Sequence, residues 1–315
     1  MIIKILDKKA MGDDTPLEIL SQHGDIVVYD STTHEELLER CTDADVLVFN
    51  KVKITKDIIE SAKNLKLLCV FATGYDNIDL EAAKSHGVAV CNVPGYSTES
   101  VVLYTIATVT ALAAKLNEYN EYVKSGEYSK SSAANRLVPV YREISGKTWG
   151  IIGYGNIGKA VARVAEALGA KVLVNKRTST GLKNEVDIDT LCEACDIITI
   201  HCPLNDATRE LINAERISKM KEGIILVNEA RGAVLCEADV ANAVKIGKIG
   251  AFGCDVYSTE PFRECHPYFE IRNLPNVILT PHSAWGSYEA RERCVLTISE
   301  NIKSYVRGEK LNRIV

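Results

Sequence analysis

The sequence predicts an α/β protein made of two doubly wound, parallel-sheet domains. Short apolar runs alternate with amphipathic segments along almost the whole chain, which is the pattern of parallel strands covered by helices on both faces. One strand-to-helix junction carries the glycine pattern Gly153-x-Gly155-x-x-Gly158. With 315 residues, the chain is long enough for two such domains, each with its own core.

Composition and charge are those of an ordinary globular protein, with 46% hydrophobic and 25% charged residues. A net charge of −5 and the absence of any Lys/Arg run argue against nucleic acid as a partner. No apolar stretch approaches the ~20 residues of a membrane span, so we expect no membrane partner.

The ten cysteines lie mostly within apolar runs, which is typical of reduced thiols, and we therefore expect a cytoplasmic protein. Cys192 and Cys195 form a C-x-x-C pair, but no second pair lies nearby. We interpret this pair as part of a helix face and predict no metal site.

The first predicted domain comprises residues 1–98 and the segment 287–315, in which a helix at 287–307 returns to it. All five of its strands are predicted to be buried, at residues 2–6, 26–29, 46–49, 67–71 and 88–91. Helical segments are predicted around residues 16–21, 34–40, 56–62 and 80–85. Because this half has no glycine-rich phosphate loop, we predict a flavodoxin-like domain without a nucleotide site.

The second predicted domain, residues 99–286, opens with a helix at 99–116 that is apolar on more than one face. We expect this helix to be buried between domains or subunits. The polar stretch 117–135 is interpreted as a surface excursion or an oligomer contact. Six strands are predicted, at 149–152, 171–174, 197–200, 224–227, 251–254 and 277–279. Helices are predicted at 156–168, 191–195, 207–220 and 237–246. This set of elements predicts a Rossmann fold.

The three glycines of the junction have separate roles in a dinucleotide site. Gly153 permits the tight turn, Gly155 lets a pyrophosphate approach the backbone, and Gly158 lets helix and strand pack closely. The helix N-terminus then offers N–H groups to the phosphates. A glycine-rich turn without a ligand is the alternative, but the strand before the motif and the helix after it favour the dinucleotide site.

Three side chains with catalytic chemistry follow predicted strands of the second domain. Arg231 follows the fourth strand, Glu260 the fifth and His282 the sixth. Because parallel strands end at one sheet edge, where open sheets bind ligands, we expect the three to converge beside the glycine loop. Each has a plain alternative as a surface cation, a turn residue before Pro261, or a capped loop histidine.

The three residues suit hydride transfer from a nicotinamide to a 2-oxo acid. The oxo group gains negative charge as the hydride arrives and therefore needs a proton donor and a fixed cation. His282 suits the donor role, and the Glu260 carboxylate would orient its ring and favour the imidazolium. Arg231 offers a planar fork for the carboxylate and oxo oxygens. Asp255 lies nearer the sheet and is expected to contact the cofactor or fix a loop.

The motifs Asn228-x-Ala230-Arg231-Gly232, Asp255-Val256-x-x-x-Glu260-Pro261 and Thr280-Pro281-His282 resemble the D-isomer-specific 2-hydroxyacid dehydrogenase family in order and spacing. The resemblance covers nearly the whole chain and implies two domains separated by a cleft. It implies that Arg231, Glu260 and His282 are catalytic. The implied cofactor contacts are Gly153, Gly155, Asn156, Ile157, Gly158, Lys176, Arg177, Cys202, Pro203, Glu229, Ala230, Asp255 and Ala284. The implied substrate contacts are Asn50, Ala72, Thr73, Gly74, Arg231 and Trp285.

Within the family, the chain looks most like the glycerate dehydrogenase, or hydroxypyruvate reductase, branch. The supporting stretches are Asn50-Lys51-Val52, Ala72-Thr73-Gly74-Tyr75-Asp76-Asn77-Ile78-Asp79, Val93-Pro94-Gly95-Tyr96-Ser97-Thr98 and Pro281-His282-Ser283-Ala284-Trp285. The loop that begins at Ala72 matches the one whose backbone N–H groups bind the substrate carboxylate in the family, although Thr-Gly is also ordinary turn chemistry. Trp285 replaces a small residue and is interpreted either as a pocket wall or as interface packing.

Two departures from the family pattern stand out. Where many relatives carry an Asp for the ribose hydroxyls, this chain has Asn175-Lys176-Arg177, so we predict that NADP(H) is accepted and slightly favoured over NAD(H). A solvated basic turn is the alternative. Glu229 stands beside Arg231, where relatives carry a small or neutral residue, and we expect its side chain to face solvent or to pair with a cation.

The leading hypothesis is an NAD(P)-dependent D-2-hydroxyacid dehydrogenase (EC 1.1.1.-) that reduces hydroxypyruvate or glyoxylate. The first alternative is a nicotinamide-sensing interaction protein of the corepressor type. The second is a dehydrogenase for another 2-hydroxy acid, such as phosphoglycerate, or for phosphite. The apolar helix at 101–116 and the excursion at 117–141 suggest a homodimer.

Overall fold

A computed structural model describes the whole chain, Met1–Val315, and divides it into two compact units. The first unit comprises Met1–Ser97 and Gly286–Val315, and the second comprises Thr98–Trp285. Each unit is built on one parallel sheet, of five and six strands respectively, so the predicted pair of doubly wound domains is confirmed.

The sheet of the first unit consists of β1 (Ile2–Ile5), β2 (Asp25–Val28), β3 (Val46–Phe49), β4 (Leu67–Val70) and β5 (Ala89–Cys91). Its order, β2-β1-β3-β4-β5, is that of flavodoxin-like domains. The helices are α1 (His34–Cys41), α2 (Lys56–Ser61), α3 (Leu80–Ser85) and the C-terminal helix Tyr288–Val306, and 3-10 helices cover Lys8–Ala10 and Leu17–His23.

The prediction that all five of these strands are buried is wrong for β2. This strand lies at the edge of the sheet, and its residues Val27 and Val28 are 37% and 44% exposed. In contrast, every residue of β3 and β4 is buried. An apolar run therefore did not distinguish an edge strand from a central one, because β-branched residues favour both.

The sheet of the second unit consists of β6 (Thr148–Ile152), β7 (Lys171–Asn175), β8 (Ile197–Ile200), β9 (Ile224–Asn228), β10 (Ile249–Cys254) and β11 (Val277–Leu279). Its order is β7-β6-β8-β9-β10-β11. The usual dinucleotide fold has one more strand outside β7. Here a single parallel bridge between Val174 and Glu185 stands in that place.

The helices of the second unit are α4 (Thr98–Ala113), α5 (Leu116–Lys124), α6 (Glu127–Lys130), α7 (Asn156–Ala167), α8 (Ile188–Ala194), α9 (Ala214–Lys219) and α10 (Glu237–Lys245). Short 3-10 helices cover Gly232–Val234 and Pro267–Phe269. Cys192 and Cys195 lie in the apolar core on and just after α8, where burial raises the pKa of their thiols to about 11 and about 12.

Two predicted helices of this unit are shorter than expected. The helix predicted at 99–116 ends at Ala113, because Lys115 has a left-handed backbone with φ 57° and α5 starts after it. The helix predicted at 207–220 is reduced to α9, whose start is fixed by Asn213, which accepts the backbone N–H of Arg216.

The buried face of α4 packs on the sheet of its own unit. Val109 and Leu112 share a core cluster with Trp149 and Ile151 of β6. Gly253 of β10 makes this approach possible, since a Cβ there would lie 2.4 Å from the Thr108 methyl group. No single helix of the chain is long and apolar enough to cross a membrane; α4 and α5 reach that length and composition only together, bent by 66°.

Candidate active site

The three glycines at the junction of β6 and α7 meet different surroundings. A Cβ on Gly153, where φ is +93°, would lie 2.5 Å from the backbone N of Cys202, and a Cβ on Gly158 would lie 2.0 Å from the carbonyl O of Gly153. A Cβ on Gly155 would meet no atom within 4 Å. Gly153 and Gly158 are therefore required by the fold itself, whereas Gly155 faces open space.

The open space lies in front of a helix N-terminus. Gly155 is the N-cap of α7, no side chain caps this helix, and its first turn contains no acidic residue. The backbone N–H groups and the positive end of the helix dipole thus suit a phosphate group. The strand order reverses between β6 and β8, the usual place for a dinucleotide, and Cys202 and Pro203 directly follow β8.

His201, which sequence reasoning missed, lies at the same point. Both of its ring nitrogens are buried without a hydrogen-bond partner, and burial lowers the pKa of the ring to about 3. Such orphaned buried nitrogens are rare in folded proteins. The ring is therefore neutral, and the backbone carbonyl of His201 lies against Gly153 of the glycine loop.

Glu260 and His282 form the best-defined contact at the carboxyl edge of this sheet. Glu260 Oε2 lies 2.6 Å from His282 Nδ1, and its Oε1 accepts the backbone N–H of Tyr257 at 3.1 Å. His282 has a left-handed backbone, with φ 54°, which is uncommon outside glycine and often marks functional sites. The carboxylate and the loop backbone together fix the imidazole.

The loop after β9 carries Arg231. Asn228 shapes this loop, because its side chain accepts the N–H of Ala230 at 3.1 Å and donates to the carbonyl of Arg231 at 2.9 Å. The next residue, Gly232, touches the Glu260 loop: a Cβ there would lie 2.0 Å from the carbonyl carbon of Tyr257. The loop that carries Arg231 and the loop that carries Glu260 are therefore in direct contact.

Asp255 fixes the loop after β11. It is 1% exposed and accepts hydrogen bonds from the Thr280 hydroxyl at 2.6 Å and from the backbone N–H groups of Ser283 and Ala284, each at 2.9 Å. Because β9 and β11 both flank β10, the Arg231 and His282 loops leave the same edge, with strand axes roughly 10 Å apart. The loops that carry Arg231, Glu260 and His282 thus lie at one sheet edge of the second unit.

Comparison with known proteins agrees with this geometry. Residues 106–284 match the model of the D-isomer specific 2-hydroxyacid dehydrogenase NAD binding domain. The chain is 35% identical over 321 residues to the hydroxypyruvate reductase of Blautia hydrogenotrophica, with 99% of each chain covered. It is 37% identical over 313 residues to the glycerate dehydrogenase of Methylorubrum extorquens, with 98% of each covered. The chain belongs to the D-isomer specific 2-hydroxyacid dehydrogenase family.

A solved structure extends the comparison to a protein with a bound nicotinamide cofactor. The structure of an acyclic imino acid reductase in complex with NADPH and D-Arg superposes with a TM-score of 0.89, at 31% identity and with both chains fully covered. As a D-2-hydroxyacid dehydrogenase, the protein is an oxidoreductase that moves a hydride between a nicotinamide cofactor and a small 2-oxo or D-2-hydroxy acid. The interaction-protein alternative is not favoured.

Glu229 departs from the expectation for this dehydrogenase. It was predicted to face solvent or to pair with a cation, which is wrong: it is 9% exposed, and its Oε2 is hydrogen-bonded to Thr105 Oγ1 of α4 at 2.5 Å. Burial, with the nearby Asp255, raises the pKa of its carboxyl to about 8. The side chain points into the unit because β9 ends beneath α4, which a single sequence position does not reveal.

A second glutamate of the dehydrogenase was missed altogether. Glu237, at the start of α10, accepts the backbone N–H of Ser258 at 2.8 Å and the Ser258 hydroxyl at 2.5 Å. Its Oε2 also lies 2.9 Å from Nε2 of the buried His266. Ser258 precedes Glu260 by two residues, so Glu237 holds the loop that carries Glu260. Its only signal in the sequence was its position shortly after the Arg231 motif.

The predicted substrate residues of the first unit lie in a tightly held loop region. Asn50 donates from Nδ2 to the carbonyl of Phe71 at 2.7 Å, and its own N–H donates to the buried Asp7 at 2.9 Å. The Thr73 hydroxyl donates to the carbonyl of Val93 at 2.8 Å. Ala72 and Gly74 flank Thr73 at the end of β4. This loop is thus held by the Asn50 side chain on one side and by the bond from Thr73 to Val93 on the other.

The end of β7 forms a separate, basic part of the cofactor region. Asn175 donates from Nδ2 to the carbonyl of Val186 at 3.0 Å, and Lys176 donates to the Thr180 hydroxyl at 3.0 Å. Together with Arg177, they line an open cavity of about 530 Å³. No Asp occupies the ribose position, although Glu185 and Asp187 also reach this cavity.

Proposed function

We propose that this dehydrogenase reduces hydroxypyruvate or glyoxylate to the corresponding 2-hydroxy acid, with the D-configuration where the product is chiral. The observation that carries the proposal is the Glu260–His282 contact at the edge that also bears Arg231 and, around the strand reversal, the glycine loop. The named activities of the two relatives, hydroxypyruvate reduction and glycerate oxidation, support the choice of substrate.

The bound nicotinamide supplies the hydride, and residues of the chain hold the substrate and donate the proton. Because Nδ1 of His282 is engaged by Glu260, the proton goes to the oxo oxygen from Nε2. Arg231, whose Nη1 donates to the carbonyl of Ala230 at 2.8 Å, presents its planar fork to the substrate carboxylate and oxo group. We propose that backbone N–H groups near Thr73 and Gly74 bind the same carboxylate.

We propose that the pyrophosphate and the adjoining sugar are held by the glycine loop together with Asn156, Ile157, Cys202 and Pro203. We propose that the nicotinamide end of the cofactor is surrounded by Glu229, Ala230, Asp255 and Ala284. Trp285 is proposed to wall the substrate pocket. Lys176 and Arg177 are proposed to accept a 2′-phosphate, since two cations attract the group that an Asp would repel. The complex of the imino acid reductase with NADPH supports this proposal.

An initial-rate comparison tests substrate and cofactor together. Purified protein is assayed with NADH and NADPH against hydroxypyruvate, glyoxylate and pyruvate. We expect turnover with the first two acids and a lower KM for NADPH than for NADH. Protein that binds either nucleotide but reduces none of the acids would overturn the proposed substrates and revive the interaction-protein hypothesis.

The basic cavity is tested by the double variant K176A/R177A. We expect the KM for NADPH to rise by about tenfold or more, as two charge-assisted contacts are lost, while the KM for NADH stays constant. Lys171 is the matched control, because it is an exposed cation at the opposite end of β7. A K171A variant should leave both values unchanged.

We further propose a homodimer. An exposed apolar stretch in residues 137–141 includes Leu137 and Val140, which are 73% and 71% exposed, and follows the exposed helices α5 and α6. Such a contiguous patch is typical of an interface. Light scattering should give twice the chain mass of 34.6 kDa, and L137E/V140E should reduce it toward one chain.

A further inference from the structure

The Glu229 carboxyl occupies a buried position beside the residues proposed to surround the nicotinamide. It lies between α4, which presents Thr105 and Thr108, and the end of β10, which presents Asp255. Its backbone directly precedes Ala230 and Arg231. A buried acid therefore lies within the loop that binds the cofactor in the proposed function, one residue from the proposed contact at Ala230.

The hydrogen bonds that Thr105 can make depend on whether this acid carries a proton. Thr105 Oγ1 is 2.8 Å from the carbonyl O of Val101 and 2.5 Å from Glu229 Oε2. A hydroxyl has one hydrogen, and a carbonyl can only accept. If Thr105 donates to Val101, the second contact requires that Glu229 donates, so Glu229 carries a proton. If Glu229 is ionised, Thr105 must turn its hydrogen toward Glu229 and leave Val101.

The surroundings of Glu229 favour the protonated form. The hydroxyls of Thr105 and Thr108 favour the ionised form, but burial and the Asp255 carboxylate outweigh them, and none of these groups is a cation. The thiol of Cys254, whose own pKa is raised by burial, is the other titratable group that senses it. Burial raises the pKa of Glu229 to about 8, so a modest change of nearby charge moves its proton near neutral pH.

We propose that Glu229 couples the redox form of the bound cofactor to a proton, releasing it when the positively charged, oxidised nicotinamide binds and keeping it when the neutral, reduced form binds. This inference rests on the proposed cofactor site. On binding of the oxidised form, the O–H bond of Glu229 breaks, the proton goes to the buffer, and the Thr105 hydroxyl turns from Val101 to the carboxylate. No electron moves in this step.

Direct binding measurements without substrate test the coupling. NAD⁺ and NADH are the probes, because the 2′-phosphate of NADP titrates near pH 6 and would obscure the result. For wild type we expect the Kd of NAD⁺ to fall roughly tenfold from pH 6 to pH 9, which corresponds to about one unit of pKa change on binding. The Kd of NADH should stay nearly constant over the same range.

Three variants locate the proton. E229Q is neutral at every pH and should abolish the pH dependence for NAD⁺, together with the proton release seen by calorimetry in buffers of different ionisation enthalpy. T105V removes a hydrogen bond that favours the ionised form, so the fall in Kd should move to higher pH. H282Q is the control, since it removes the proposed proton donor of the reaction and should keep the wild-type dependence.

The outcomes separate this inference from the proposed function. The same pH dependence in E229Q as in wild type, or a loss of that dependence in H282Q, would overturn the coupling while leaving the cofactor site intact. Equal pH dependence for NAD⁺ and NADH would overturn it as well. Wild-type protein that binds neither nucleotide would overturn the proposed function, and the coupling with it. A thermal unfolding curve of each variant confirms that the fold is retained.

Discussion

Glu260 touches His282 with one carboxylate oxygen and the backbone N–H of Tyr257 with the other. The acid is thereby fixed at both oxygens, and the imidazole is oriented through Nδ1. In the proposed mechanism this arrangement leaves Nε2 to deliver the proton, so the position of the imidazole depends on the loop after β10.

Replacing His282, the proposed proton donor, should slow the hydride-transfer reaction strongly without changing the affinity for the cofactor. For H282Q we expect kcat to fall by about 10²–10⁴-fold, because general acid catalysis contributes an effect of this size. The Kd of NADH, measured by fluorescence titration, should remain at the wild-type value. Turnover near that of wild type would remove His282 from the role of proton donor.

The glycine loop offers a matched pair of substitutions. G155A adds a methyl group in open space, so we expect a wild-type melting temperature but a Kd for NADH raised by tenfold or more, since the methyl group obstructs the pyrophosphate. G158A places its methyl group against the carbonyl of Gly153 and should instead lower the melting temperature. Calorimetry and fluorescence titration of both variants distinguish the two effects. Normal cofactor affinity in G155A would contradict the site.

Glu237 should influence catalysis through the loop that it holds. In E237Q one oxygen that accepts from Ser258 becomes an amide, so we expect kcat to fall about tenfold and the melting temperature to fall by roughly 5 °C. The Kd of NADH should not change. The control is E222Q, an exposed glutamate paired with Lys248, which should behave like wild type. An unchanged kcat in E237Q would show that the loop is held by other contacts.

The buried Glu229 should also make stability depend on pH. Its carboxyl has a pKa of about 8 in the folded protein against an ordinary value of 4.5, so the folded state retains a proton that the unfolded state has lost. Stability therefore falls as pH rises from about 4.5 to 8 and is constant above that. Urea unfolding should show E229Q gaining up to about 4 kcal/mol relative to wild type between pH 5 and 8. Parallel curves for the two proteins would contradict the burial of an acid at this position.

The sequence predicts those features of the structure for which a general rule relates the order of elements to their positions in the fold. Parallel strands end at one edge, so the sequence alone predicts that the loops of Arg231 and His282 leave the same edge of the sheet. The glycine pattern likewise predicted a turn and a helix start, and α7 begins at Asn156 as expected. Strand positions were predictable because buried parallel strands are continuous apolar runs.

Sequence reasoning failed where the outcome depends on contacts between distant segments. Glu229 is buried because Thr105, 124 positions away, lies above it, and Glu237 contacts Ser258 across 21 positions. The exposure of β2 depends on its place at the sheet edge, which the pattern of its own residues does not encode. The substitution of one outer strand by the Val174–Glu185 bridge is of the same kind.

The close approach at Gly232 has a consequence for how this protein could be altered. Because the backbone of Tyr257 lies against Gly232, the loop that carries Arg231 and the loop that carries Glu260 cannot be moved or replaced independently. Any variant that accepts a bulkier acid must therefore keep these two loops together as one rigid piece, and the change of shape must come from other residues.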